Sequence, residues 1–170
     1  MLLFVKISMI NRFLNKLLYE VILLGIMKID HVGIRVIDRA RAVKFYEIFG
    51  FRIEVEVDFD SVIIMKNGSG VEINLIVNGI EFDDGKNILM DIPSKYTGFT
   101  HLALQVDSIP LILNTLEKSN IEITQGPVTF GKDGHVSVFV RDPDRNTIEF
   151  RGRVEKEDEI EGLQFYDPKA

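Results

Sequence analysis

The stretch Asp30-His31-Val32-Gly33-Ile34-Arg35-Val36 returns seventy residues later as Thr100-His101-Leu102-Ala103-Leu104-Gln105-Val106. Each copy alternates with period two. Val32, Ile34 and Val36, or Leu102, Leu104 and Val106, form an apolar strand face, and both histidines point the other way. A helix pattern follows each copy. Asp38 caps the first, whose stripe is Ala42, Val43, Tyr46 and Phe49, and Gly50 ends it; Asp107 or Ser108 caps the second, with Pro110 in its first turn and Ile109, Ile112, Leu113 and Leu116 as its stripe. Three strand-like runs come next in each half: 51–59, 61–66 and 71–77, then 121–130, 135–141 and 147–153. The chain therefore reads as two βαβββ modules, about 27–77 and 99–153. Neither is large enough to stand alone, so they are expected to pair into an open, curled mixed sheet around a central cleft, an α+β fold.

Composition narrows the chemistry. The chain has 170 residues and a net charge of -6, with no cysteine. A chain this acidic lacks the basic footprint of a nucleic-acid binder. Without thiolates, any metal must be held by nitrogen and oxygen, and the absence of disulfides fits a cytoplasmic protein. Residues 1–26 differ from the rest: they are largely apolar, with Lys6, Arg12, Lys16 and Glu20 as their only charges. Those charges interrupt the run too often for a membrane span. The segment reads as translated sequence ahead of a start at Met27, or as an amphipathic helix. Residues 78–98 are long for a connection and read as a lid or a surface linker. Residues 154–170 form an acidic tail in which Leu163, Phe165 and Tyr166 are available to dock.

One histidine on a polar strand face is usually a solvated side chain. Two at equivalent places in a duplicated unit can converge, and the strand 147–153 offers Glu149 on its polar face. Val71-Glu72-Ile73 mirrors Ile148-Glu149-Phe150, which makes Glu72 a second carboxylate. Taken singly, each glutamate is an ordinary strand residue. Together, two imidazoles and one or two carboxylates suit zinc, nickel, cobalt, manganese or ferrous iron better than calcium or magnesium.

These features resemble the vicinal oxygen chelate superfamily, which includes glyoxalase I, extradiol dioxygenases and bleomycin-binding proteins. The resemblance covers 27–153 and rests on Asp30-His31-Val32-Gly33-Ile34, on Phe45-Tyr46 with Phe49-Gly50-Phe51, and on Val138-Phe139-Val140-Arg141-Asp142-Pro143-Asp144 leading to Ile148-Glu149-Phe150. It implies His31, His101 and Glu149 as metal ligands, with a fourth position at Glu72 or Asn74. Matching to glyoxalase I favours Asn74 and makes Arg35 and Asn78 substrate-binding candidates, which otherwise read as a surface arginine and a turn asparagine. The implied activity is that of a glyoxalase I-like lyase or isomerase, with metal-bound Glu72 or Glu149 as the base. The alternatives are an extradiol dioxygenase, for which His135 is a candidate acid-base or substrate-binding group, and a non-catalytic drug-binding protein. A homodimer is compatible with all three. In the turn before the last strand the family has glycine where this chain has Arg145, so a left-handed residue is expected at Arg145 or Asn146.

Overall fold

The computed structural model describes residues 27–57, 59, 61–131, 133–154 and 160–166. The readings made for residues 1–26 fall outside them. The chain divides into two compact units, Met1–Asp30 and His31–Ala170. Of the first, only residues 27–30 are described, and all four are exposed.

The second unit contains both modules. The first runs β1 (Val32–Val36), α1 (Arg39–Ile48), β2 (Arg52–Val57), β3 (Val62–Lys66) and β4 (Glu72–Val77). The second runs β5 (Leu102–Val106), α2 (Ile109–Lys118), β6 (Ile123–Thr129), β7 (His135–Arg141) and β8 (Thr147–Arg153), followed by a short β9 (Gln164–Phe165). Local chemistry sets the helix ends. The Asp38 carboxylate accepts the Arg41 N–H at 2.7 Å and the Ser108 hydroxyl accepts that of Leu111 at 3.2 Å. Both helices close in the same way: Phe51 N–H reaches the Tyr46 carbonyl across Gly50 at φ 84°, and Ile121 N–H reaches that of Leu116 across Asn120 at φ 53°.

The strands form two mixed sheets, ordered β1-β4-β3-β2 and β5-β8-β7-β6-β9. β1 pairs parallel with β4 and β5 with β8. The expected single curled sheet is therefore corrected: among the described residues the strands form two separate open sheets with no ladder between them. Side chains make the join instead. The Phe49 ring lies 4.6 Å from that of Phe150, Tyr46 Oη donates to Asp142 Oδ2 at 3.0 Å, and Arg41 pairs with Asp144 at 2.7 Å. With the end of α1 and the 142–146 turn between them, the modules meet through a packed interior and not through strand edges.

That interior replaces the central cleft. One hydrophobic cluster contains Ile34, Val36, Ile73, Leu75, Ile63 and Met65 of the first sheet, Val136, Val138, Ile148 and Phe150 of the second, and the buried faces of both helices. The alternate residues of each sheet face away from it. Burial raises the Asp142 carboxyl above its ordinary range and the Tyr46 hydroxyl well above its own.

No helix or strand interrupts 78–101. Asp91 pins this segment to the second module by pairing with Arg141 at 3.1 Å and Arg145 at 2.6 Å. Arg145 itself takes the left-handed conformation, at φ 62°. Its hydrogen bond lowers the Asp91 pKa. Among the described residues no helix is long and apolar enough to cross a membrane.

Candidate functional site

On the outer face of the second sheet, Glu149 of β8 is directly opposite Phe139 of β7, and Arg151 is opposite Ser137. Ala103 of β5 is beside Glu149, and His101 precedes that strand by one residue. Antiparallel and parallel partners share a face, so residues from three strands reach the same surface.

They form one continuous polar chain. His101 Nε2 is 3.0 Å from Glu149 Oε2. Ser137 Oγ donates to Glu149 Oε1 at 2.6 Å, and Arg151 Nη1 donates to Ser137 Oγ at 3.2 Å. Arg151 Nη2 reaches Asp133 Oδ2 at 3.2 Å, and the same oxygen is 3.0 Å from His135 Nδ1. The His135 backbone N–H, foremost, holds the Asp133 carboxyl below its usual pKa. Ser137 is fully buried and Glu149 nearly so, whereas 38% of the His101 side chain is exposed. The chain thus runs from a half-open imidazole through a buried carboxylate to a second imidazole.

The chemistry of the first pair suits a cation. Imidazole and carboxylate both ligate divalent ions, and here they lie within direct hydrogen-bond distance of each other, at 3.0 Å. Each group is also oriented through its other polar atom: Thr100 Oγ1 is 2.9 Å from His101 Nδ1, and Ser137 holds Glu149 Oε1. Metal-binding histidines and carboxylates are usually oriented in this way.

The first sheet carries the counterpart of this arrangement with different chemistry. Gly33 pairs with Asn74, as Ala103 pairs with Glu149, and Ile64 is opposite Asn74, as Phe139 is opposite Glu149. By register Asn74, not Glu72, is the equivalent of Glu149. Glu72 occupies the Thr147 position and pairs with Lys66 at 3.2 Å. Asn74 Oδ1 is buried without a hydrogen-bond partner.

His31 is exposed at the entry to β1. Among the described residues no three His, Cys, Asp or Glu side chains lie close enough to hold one ion, so a single copy does not gather His31 with His101 and Glu149. Arg35 lies elsewhere, in a groove of about 600 Å³ between the 79–88 segment and the 143–146 turn. Asn78 is exposed at the end of β4, with its N–H bonded to the Ile76 carbonyl at 3.0 Å. The sequence reading missed Ser137, Arg151 and Asp133 as parts of the site. Their signal was present in two polar residues at alternating positions of adjacent strands.

The glyoxalase/bleomycin resistance protein/dioxygenase superfamily profile matches residues 28–150. No curated protein matches the sequence. Among solved structures, a glyoxalase/dioxygenase from Nostoc punctiforme is 22% identical, with a TM-score of 0.64 over 77% of this chain and 94% of that one. A protein from the mobile metagenome of V. Pseudocholerae is 28% identical, covering 78% and 99% with a TM-score of 0.57. A virulence protein from Salmonella typhimurium is 26% identical, covering 77% and 100% with a TM-score of 0.53.

Proposed function

The chain belongs to the glyoxalase/bleomycin resistance protein/dioxygenase superfamily, and from that premise we propose a metal-dependent enzyme acting on a small molecule with two neighbouring oxygens. The observation that carries this reading is the His101–Glu149 pair: 3.0 Å apart, each oriented through its second polar atom, and open to solvent on the imidazole side. His101 and Glu149 would hold a divalent ion there, and such an ion would supply Lewis-acid stabilisation of negative charge on neighbouring substrate oxygens.

One copy supplies half of such a centre at each outer face. His101 and Glu149 make one half, and His31 with the unpartnered Asn74 carbonyl makes the other. The reading therefore includes a homodimer in which the halves of two copies meet. The outer face of the first sheet supports it, since Val55, Val62, Ile64 and Ile76 lie there unburied around Asn74. Apolar sheet surface left uncovered in one copy favours burial against another.

Asn74 also bears on the reaction. A glyoxalase-like isomerase needs a metal-bound carboxylate that can loosen and act as base, and with Glu72 held by Lys66 only Glu149 remains. Two imidazoles and one carboxylate suit the dioxygenase reading better. In either case Ser137 fixes the Glu149 carboxylate, Thr100 fixes the His101 ring, and His135 stands at the far end of the polar chain, held by Asp133.

The test is metal uptake followed by turnover. Chelator-free protein should bind zinc, nickel or ferrous iron, and Glu149→Ala should abolish binding. His31→Ala and His101→Ala copies, each deficient alone, should recover one site per mixed dimer when refolded together. Ferrous protein should then cleave a catechol in preference to isomerising a glutathione hemithioacetal. Zinc, nickel and ferrous iron all binding no better to the wild type than to Glu149→Ala would reject the reading.

A further inference from the structure

A row of rings runs beside the polar chain. His101 meets Phe139 edge-on at 5.7 Å, Phe139 meets Phe130 edge-on at 6.3 Å, and Phe130 meets Tyr166 at 5.0 Å with the rings tilted by 47°. Phe139 is buried, whereas Phe130 is 46% and Tyr166 52% exposed. The row begins at the candidate metal-binding imidazole and opens toward solvent at its other end.

Its last member comes from the acidic tail. β9 pairs parallel with β6, with Val128 beside Gln164 and Thr129 beside Phe165, and the Tyr166 N–H donates to the Thr129 carbonyl at 2.9 Å. Ile160 is buried and Leu163 packs half-buried against the core. The tail is thus secured by two apolar anchors and by strand pairing, independently of the Tyr166 ring. That ring is left half open against Phe130, so its placement is not needed for anchoring. Two adjacent, half-exposed rings, linked through the buried Phe139 to His101, offer apolar faces to a flat partner beside the polar pair.

We propose that Phe130 and Tyr166 form one wall of the substrate site, that this wall takes a planar aromatic ring, and that Tyr166, delivered by β9, is a specificity-determining residue. The proposal rests on the reading of His101 and Glu149 as the reactive end of the site. Ring stacking does not require the ion, so the two ideas separate experimentally.

Calorimetric titration of the metal-free full chain should show binding of naphthalene-2,3-diol and at least about tenfold weaker binding of its saturated analogue, cyclohexane-1,2-diol. Tyr166→Ala and Phe130→Leu should each weaken naphthalenediol binding by about threefold to tenfold, Tyr166→Phe should retain it, and zinc affinity should be unchanged in all three. Equal binding of the two diols, or wild-type affinity in both Tyr166→Ala and Phe130→Leu, overturns the proposal. It is also overturned if affinity falls only as sedimentation shows the dimer dissociating, since the rings would then be a subunit contact. Naphthalenediol binding without zinc binding would leave the wall standing and reject the metal reading; zinc binding without discrimination between the diols would do the reverse.

Discussion

The outer faces of the two sheets share a backbone and differ in chemistry. Where the second has Glu149, Phe139, Ser137 and Arg151, the first has Asn74, Ile64, Val62 and Ile76 at the same register positions. Duplication preserved what each module needs to fold: the capped helix, its left-handed terminator at Gly50 or Asn120, and an apolar inner face. The outer face carries no such constraint, and there one half has a buried carboxylate in a hydrogen-bonded chain while the other has an amide among largely apolar neighbours. A duplicated scaffold can therefore specialise its halves without altering its core.

The largest test of that asymmetry is at the paired positions themselves. Glu149→Ala should lower zinc affinity by more than about 100-fold, and Asn74→Ala by less than about tenfold, as measured by calorimetry; equal losses would mean that the halves contribute alike. Next is the joint that keeps the faces apart. Tyr46→Phe removes a donor from the buried Asp142 carboxylate and should cost about 1–3 kcal/mol in urea unfolding. If it costs nothing, the halves are held together by apolar contacts alone.

A smaller effect is expected where the connecting segment meets the second module. The folded state holds the Asp91 pKa below its ordinary value. The stability it contributes is therefore complete above the unfolded-state pKa and lost as pH falls through the folded value. Asp91→Asn should cost about 1 kcal/mol near pH 7, a figure reduced because Arg145 is largely exposed, and the difference from wild type should shrink in acid. Arg145→Gly should change stability least, within about 0.5 kcal/mol, because relief of the left-handed strain offsets the lost ion pair.

Much of the fold was legible in the sequence. The seventy-residue repeat, the alternation and the capping residues located both helices and the eight strands of the modules, because each signal acts over a few residues. Leu163, Phe165 and Tyr166 were read as able to dock: Leu163 packs against the core and Tyr166 against Phe130, whereas Phe165, within β9, stays exposed. The relation between the modules was not legible: Phe49, Tyr46 and Asp142 look equally apolar or polar whether sheets join by edges or by side chains. The site was half legible. The repeat and the polar face of its strand made Glu149 a candidate, but Glu72 and Asn74 share a face, and a period of two cannot choose between residues two apart.

The sequence by itself determined the elements, the face each strand buries and the family, since all three depend on local pattern and motif. Only the tertiary structure decided that Asn74 is the counterpart of Glu149, that Ser137 and Arg151 extend the polar chain to His135, and that the interior is a core with the candidate site on the opposite face of the second sheet. The physical reason is that alternation fixes which way a side chain points but leaves free the sliding of one strand along the next. That sliding is set by cross-strand hydrogen bonds and by packing between residues far apart in the chain.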